Sequence, residues 1–540
     1  MYMNKFLIFL GLTALLAGCG GNGFRSDMKY SGAPATANPT NVEESFINST
    51  SLYGSDEGGP RANIAVLLPT SGPAKAHGNN IKTAIETAFL RKPKSNIKIS
   101  FFDLSGDENN RYEVIKEALS SSPDIIIGPL FAEDTRVLRN IKPDDLPVIS
   151  FTSDATSLGN GVMTVNLIPT QSVETIVRQI KIDNAKSLVI LAPNNNSGKL
   201  MTSVADTASK IYNIPVAGVY YYDAGKSDSI KNVAMRASLY NTRNAANTRA
   251  REILSDILTK EKLDSETNAS LSKQLEKISR TETLGDLPFD SILFLGTSQD
   301  AKSMASFLRY YGVNNRDVKF YGTTLWDDKE IASDFTLSGA KYATLPDTDE
   351  NFMNLYNETY GITPDHLTTF GYDAANLALG MIYTQKDESD YLFNPNGYIG
   401  NNGIFRIRQN GTSERALQIM GLNGSGTPVL LKPSASNFIT PLYNVNMSKI
   451  DHVSEKDISS YMVNPGDYII IPQELSEKEE YKTKDMISRS VVENTPAQEE
   501  SIRIYGQSDT SETITTPDFK SAKPENISRK YIDSVEIEER

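Results

Sequence analysis

The sequence predicts an α/β protein of two doubly wound parallel-sheet lobes with a cleft and a hinge between them. Its strand candidates are short runs of consecutive apolar residues, such as Ile64-Ala65-Val66-Leu67-Leu68, Ile125-Ile126-Ile127 and Leu188-Val189-Ile190-Leu191. A sheet with one wet face would alternate apolar and polar side chains, whereas unbroken runs suit strands buried on both faces. Most runs lead through a turn into a stretch of helical spacing, so strand and helix alternate. The alternation runs from Asn63 to Ser150 and begins afresh after Pro169, which makes two units. Ligands of open parallel sheets sit beyond the carboxyl ends of the strands, so both lobes would turn their loops toward one cleft.

Taken in order, Met1-Tyr2-Met3-Asn4-Lys5 carries one positive charge and precedes the apolar run 6–16 and then Ala17-Gly18-Cys19. That run is too short for an ordinary membrane span and ends in the small residues of a cleavage site. Residues 1–18 therefore read as a secretory signal. A cysteine directly after Leu16-Ala17-Gly18 resembles the bacterial lipoprotein signal, which implies a diacylglycerol on the Cys19 thiol and stable anchoring. Gly20 stands where Asp would imply inner-membrane retention, so the resemblance implies the periplasmic face of the outer membrane. Residues 19–61, rich in Gly, Ser, Asn, Thr and Pro, read as a flexible linker.

The strand at 64–69 ends in the turn Ser71-Gly72-Pro73, and a helix follows with Ile81, Ala84, Ile85 and Ala88 on one side. A strand at 97–102, a helix at 112–119, a strand into a turn at 124–130, a helix at 135–141 and a strand at 147–150 complete the first set. The second set opens with helix 173–180, strand 187–193, helix 201–212 and strand 216–221. Residues 230–285, charged and helical in composition, read as an insertion. Strand 291–296, helix 301–311, strands at 319–321 and near Tyr342, helix 368–383 and a final strand at 403–407 follow. The bilobed domain is thus 62–432, with lobe 1 at about 62–168 and 328–395 and lobe 2 at about 169–327 and 396–432. The hinge falls near 168, 327 and 396. Beyond it, Asn464-Pro465-Gly466-Asp467 leads into one isolated strand at 468–472. From 474 on, Glu, Lys, Ser and Thr dominate, and such a stretch cannot offset its ordering entropy. Residues 433–540 read as a weakly structured to disordered tail.

Composition excludes several classes. Once Cys19 is acylated no thiol remains for a disulfide or a thiolate metal site, and His77, His366 and His452 lie too far apart for zinc-type spacing. A formal net charge of -13 argues against nucleic-acid binding, which needs a basic face. Neither a Gly-x-Ser-x-Gly nucleophile turn nor a Walker-type phosphate loop is present, so no catalytic residue, metal or cofactor is expected.

Several motifs carry a family resemblance. The stretch from Ile64 to Pro73, Ile127-Gly128-Pro129, Pro147-Val148-Ile149-Ser150 and Gly371-Tyr372-Asp373-Ala374-Ala375 resemble type I periplasmic-binding proteins of the leucine-binding group, over roughly 62–430. A more discriminating set resembles the penicillin-binding-protein activator lipoproteins. It comprises Gly128-Pro129-Leu130-Phe131, Asn166-Leu167-Ile168-Pro169, Trp326-Asp327-Asp328, Gly403-Ile404-Phe405-Arg406-Ile407, Asn410-Gly411 and Arg415-Ala416-Leu417. Longer activators carry a helical-repeat domain ahead of this one, for which residues 20–60 are too few.

The resemblance also implies where a ligand would sit. Amino-acid binders hold the ligand carboxylate with a serine in the Gly-Pro loop and a Ser/Thr pair after the fourth strand. Here Ala132 replaces that serine, and the later loop, Thr152-Ser153-Asp154, brings a carboxylate that would repel an anion. His77 stands where the family often has a cleft aromatic, and Asp300 matches an acid that holds the ligand amine. Each has a plainer reading. Asp154 would cap a turn with Thr156, Asp300 would be a helix N-terminal acid after Ser298, His77 a surface histidine, and Trp326 a packing residue between the lobes. The candidate cleft residues are His77, Ser153, Asp154, Asp300 and Trp326. The resemblance implies a non-enzymatic, outer-membrane-anchored regulator that contacts a peptidoglycan synthase, with 230–285 as a contact surface. The alternative is a lipid-anchored binding protein of an importer for amino acids, amides or small peptides.

Overall fold

The computed structural model describes residues 35–41, 61–91, 96–383, 388–424 and 427–482. The expected signal, Cys19 and residues 483–540 lie outside them. After the two-residue strand β1 (Thr40–Asn41), the first lobe is built on β2 (Arg61–Leu68), β3 (Asn96–Asp103), β4 (Ile125–Ile127), β5 (Val148–Ser150) and β6 (Val162–Thr164). These form a five-stranded, wholly parallel sheet in the order β3-β2-β4-β5-β6. The unbroken apolar character of β2 has a direct cause. Ile64, Val66 and Leu68 pack with Ile81, Ala84 and Ile85 of the Lys75–Leu90 helix, whereas Ala65 and Leu67 pack with Ile115, Ala118 and Leu138 on the other face. Both faces are covered, as the sequence pattern requires.

The second lobe contains β7 (Leu188–Pro193), β8 (Val216–Tyr222), β9 (Ser291–Phe294), β10 (Lys319–Gly322) and β11 (Lys341–Thr344). After β12 (Tyr398–Gly400), β13 (Gly403–Ile407) and β14 (Ser413–Arg415), the chain returns to it with β15 (Gln418–Gly421) and β16 (Val429–Lys432). The seven strands run in the order β16-β15-β11-β10-β9-β7-β8, parallel from β8 to β11 and antiparallel for the last two. Strand β11 pairs with β10, so the second crossing between lobes comes after Thr344 and not near 327. The apolar cue at Tyr342 was visible in sequence, but its sheet partner was not.

Two further differences concern segments read from composition. Of the stretch 230–285, the Ser227–Ala237 helix places Ile230, Val233 and Ala234 in the lobe 2 core with Leu191 and Phe294, so it is the crossover between β8 and β9. Only the Tyr240–Lys260 and Ser265–Ser279 helices form an added hairpin, closed by Ile253, Leu254, Ile257, Leu271 and Ile278. Residues 433–482 contain little regular structure, yet they form a strap packed along the protein. Phe438, Tyr443 and Val445 are buried near the hinge sheet, Lys456 bridges Val219 at the edge of β8, and Ile469, Leu475 and Tyr481 close the hairpin. The expected strand at 468–472 does not form. Ile470 instead exchanges backbone hydrogen bonds with the Gln274 side chain, its amide donating at 2.7 Å and its carbonyl accepting at 2.9 Å.

Both lobes repeat one local device. The first turns of the Lys75–Leu90 and Asn196–Ile211 helices press against the strand-ending prolines Pro69 and Pro193, and each contact falls on a glycine. A Cβ on Gly78 would lie 2.0 Å from the Pro69 carbonyl oxygen, and one on Gly198 would lie 2.0 Å from that of Pro193. Helix propensity alone would make Gly78→Ala stabilising by about 1 kcal/mol. The clash reverses the sign: a net loss of about 1–3 kcal/mol is expected, read as a lower urea midpoint with an unchanged denaturant slope.

Candidate functional site

The strand order reverses beside β2 in lobe 1 and beside β7 in lobe 2, and the loops leaving these switch points are the rims at which open α/β sheets take ligands. Asp103, at the end of β3, fixes the first rim by accepting from the Thr70 amide at 2.8 Å, the Ser71 amide at 3.3 Å and the Ser105 hydroxyl at 2.6 Å. Burial pushes this carboxyl up, but the donors outweigh it and hold it below the ordinary aspartate value.

The candidate residues occupy different environments. His77 is half-buried in the first turn of the Lys75–Leu90 helix, and Ser153 is half-buried after β5. Asp154 caps the short 3₁₀ turn Ala155–Ser157 through the Thr156 amide at 2.9 Å, and its other oxygen takes the Arg136 guanidinium at 2.6 Å. The repulsive charge expected of it is therefore paired. Ala132 is fully buried at the start of the Ala132–Ile141 helix. Asp300 lies in the first turn of the Ser298–Tyr310 helix, capped by Thr297, and is only 5% exposed. Its carboxylate accepts from the Gly225 amide at 3.1 Å and from the Tyr222 hydroxyl. Burial outweighs these donors and raises its pKa. Its geometry is that of an N-terminal helix acid turned inward.

Trp326 is wholly buried within the lobe 2 core, not between the lobes. Its ring centroid lies 5.6 Å from that of Phe294, and it occupies the space that a Cβ on Gly322 would need. The lone tryptophan fills the sheet–helix interface of one lobe because Gly322, on the neighbouring strand, leaves a gap the size of an indole.

Two clusters lie outside the candidate site residues, although the motifs contain some of their members. Asp327 accepts from the Thr344 hydroxyl at 2.6 Å and faces His366 Nε2 at 3.4 Å. His366 opens the His366–Tyr383 helix, which packs on the Lys75–Leu90 helix of lobe 1, so this pair spans the two lobes. Burial raises the Asp327 pKa, but His366 and Thr344 more than reverse it, and the net direction is down.

The second cluster is the hinge. Strands β12, β13 and β14 form a small antiparallel sheet, extended at its edge by β1. On one face Glu414 receives Arg406 Nε at 2.8 Å and Arg408 Nη2 at 2.9 Å. On the other, Arg415 is wholly buried between the rings of Phe370 and Phe405, with its charge 3.7 Å from Asp373. Burial pushes the Arg415 guanidinium down to about 10 and the Asp373 carboxyl up, with Arg415 and Asn401 pulling the latter back. Arg406 and Arg415 belong to the motifs that carried the activator resemblance, Arg408 lies just outside them, and Asp373 belongs to the wider binding-protein motif. Their arrangement is structural: charges buried among aromatic rings where the chain passes between lobes.

Two parallel-sheet lobes, a cleft fed by strand ends and a hinge of crossing strands define the type I periplasmic-binding-protein fold. No family model matches the chain. It is similar to the penicillin-binding protein activator LpoA of Pasteurella multocida, 24% identical over 191 residues, which is 33% of this chain and 32% of that protein. A second LpoA, from Vibrio vulnificus, is 25% identical over 168 residues, 29% of this chain and 27% of the relative. The matches thus span about a third or less of these relatives. Among solved structures, a putative branched-chain amino acid ABC transporter from Rhodospirillum rubrum has a TM-score of 0.52 at 15% identity, covering 69% of this chain and 100% of that one. The LpoA C-domain of Haemophilus influenzae, described as a regulator of PBP1A, has a TM-score of 0.46 at 15% identity, covering 68% and 100%. The curated relatives thus fall in the same activator group that the sequence motifs resemble.

Proposed function

We propose that this protein is a non-enzymatic regulator of a penicillin-binding peptidoglycan synthase, tethered through a lipid on Cys19 to the periplasmic face of the outer membrane. The similarity to two LpoA activators carries the reading. The cleft chemistry supports it indirectly, because Asp154 and Asp300 are committed to Arg136, Tyr222 and backbone donors. Regulation would proceed by surface contact. The helical hairpin and the strap beside it form the proposed contact surface, where Met462 and Ile470 expose apolar side chains, Ile470 at 81%. The test is to add the lipid-free protein to a purified class A synthase and follow glycan polymerisation and cross-linking. A rise in either rate supports the reading, and no rise with no co-purification counts against it.

The importer reading draws on the fold, which the Rhodospirillum rubrum structure shares. It is tested by thermal shift against amino acids, amides and soluble muropeptides. A ligand at a hundred times its dissociation constant adds about 2.7 kcal/mol of stability. The double variant Ala132→Ser/Asp154→Thr restores the side chains that amino-acid binders use. The expected outcome is that it remains blind to every amino acid, and a clear shift would return the cleft to that class.

A further inference from the structure

We infer that the two ends of the described chain clamp the hinge and hold the lobes at one fixed relative orientation. A bilobed receptor that closes on its ligand needs hinge residues free to absorb backbone rotation. Here the crossing strands are bonded to one another and then bound over by two further passages of chain.

The crossings come first. Arg415 of β14 donates its Nε to the Val165 carbonyl at 2.8 Å, and its backbone amide donates to the Gln171 side chain at 3.0 Å. Gln171 in turn donates to the Ser413 carbonyl at 2.5 Å. The first crossing is thereby sewn to the third, and the Thr164 amide adds a bond to the Gly411 carbonyl at 2.9 Å.

The N-terminal passage is β1, which lies parallel to β12 with Thr40 opposite Tyr398 and Asn41 opposite Ile399. Just before it, Asn396 Oδ1 accepts from the amides of Thr36 at 2.8 Å and Ala37 at 2.9 Å. The C-terminal passage is the start of the strap. Tyr443 donates its hydroxyl to the Arg415 carbonyl at 2.5 Å, and Phe438 lies under the Arg406 guanidinium, 4.5 Å from centroid to charge. The same strap is fastened to the Pro169–Ile182 helix of lobe 2. Glu174 accepts from the amides of Asn444 at 2.5 Å and Val445 at 3.0 Å, and Arg178 donates to the Leu442 carbonyl at 2.5 Å. The Ala35 amide joins the two passages through the Phe438 carbonyl at 3.2 Å.

A continuous path therefore runs from Asp373 on the lobe 1 side, through Arg415 and Tyr443, to Glu174 in lobe 2. Rotation of one lobe against the other would strip buried donors and acceptors along it, and orphaning such groups is costly. One apolar core also runs through the hinge, from Ile64 and Val66 through Phe405 and Leu417 to Val173 and Ile190. Crossing strands alone would be compatible with motion. The two added passages are what oppose it, the N-terminal one bonded to the hinge and to the strap, and the strap bonded to hinge and lobe 2 together.

Cys19 is the single native thiol, so the full chain carrying Cys19→Ser accepts a clean pair of spin labels. Lys116→Cys in lobe 1 and Arg280→Cys in lobe 2 are exposed positions. Double electron–electron resonance is expected to give one narrow distance, unchanged by millimolar amino acids or soluble muropeptides. Two populations, or a shift with either addition, would overturn the clamp. In a second arm, Glu174→Gln/Tyr443→Phe loosens the strap while leaving Arg415 and Asp373 in place, with circular dichroism checking the fold. Broadening of the distance is expected, and a folded variant as narrow as its parent would show that the strap does not hold the lobes. A ligand-driven shift would also count against the contact-regulator reading. Two populations indifferent to ligand would overturn the clamp alone, since the synthase rates test that reading separately.

Discussion

Ending the chain at Lys432, where composition places the domain boundary, is expected to cost the second lobe its native fold. The comparison is between fragments 35–432 and 35–482. The shorter one loses Phe438, Leu442, Tyr443, Val445, Ile458, Val463, Ile469, Leu475 and Tyr481, all buried. Burial of such side chains contributes about 1.5–3 kcal/mol each as an upper bound. Even at half that value the loss is comparable with the whole net stability of an ordinary domain, about 5–15 kcal/mol. The hairpin would suffer most, because Ile253, Leu254 and Leu271 share their cluster with strap residues. Thermal melts followed by circular dichroism should show a cooperative transition for 35–482 and a broad or strongly lowered one for 35–432. Melting points within a few degrees of each other would mean that the strap lies on a lobe that does not need it.

That boundary shows where legibility in the sequence stops. Strands such as β2 and β7 were readable because covering both faces of a parallel strand demands an unbroken apolar run, and local order follows from local pattern. The strap has no such pattern. Its apolar residues are spent singly, Phe438 on Arg406, Ile458 beside Tyr220 and Tyr481 on the hairpin, so no period of two or 3.6 survives. Charged composition around them gives the look of a solvated tail, although Asp457 takes Arg236 at 2.5 Å and the Tyr220 hydroxyl at 3.2 Å. The Ser227–Ala237 helix misled in the opposite direction, because its exposed charges hide Ile230 and Val233 facing the sheet.

The site divides in the same way. The motifs drew attention to residues that follow strand ends, positions that topology fixes on one side of each sheet. The sequence could not show which charges those loops would spend internally. Asp154 has Arg136 eighteen residues away in sequence, and Asp300 has Gly225 seventy-five residues away. The hinge motif Arg415-Ala416-Leu417 carries only a family resemblance in sequence, because an arginine in an apolar neighbourhood discloses neither its carboxylate nor its aromatic walls until the fold brings Asp373, Phe370 and Phe405 around it.

Arg415→Met is expected to destabilise the protein by about 3–5 kcal/mol, the usual cost of leaving one member of a buried ion pair without its partner. Volume is nearly conserved, so the loss would come mainly from charge and from the bonds to Val165 and the two aromatic faces. The pH dependence separates these contributions. Burial already raises the Asp373 carboxyl in the folded protein, and Arg415 is the cation that pulls it back. Without Arg415 the folded pKa of Asp373 moves further up, while its unfolded value stays near 3.9. A group whose folded pKa lies above its unfolded one contributes stability below the unfolded value and loses it as pH rises through the folded value. The deficit of Arg415→Met should therefore be smallest near pH 4 and grow toward pH 8, measured by urea unfolding of variant and parent at each pH. Adding Asp373→Asn removes the titrating charge, so the double variant should recover part of the loss at pH 8 and show a deficit that no longer varies over this range. A deficit equal at both pH values in the single variant would assign the role of Arg415 to packing between Phe370 and Phe405, and its pairing with Asp373 would carry no weight in holding the hinge.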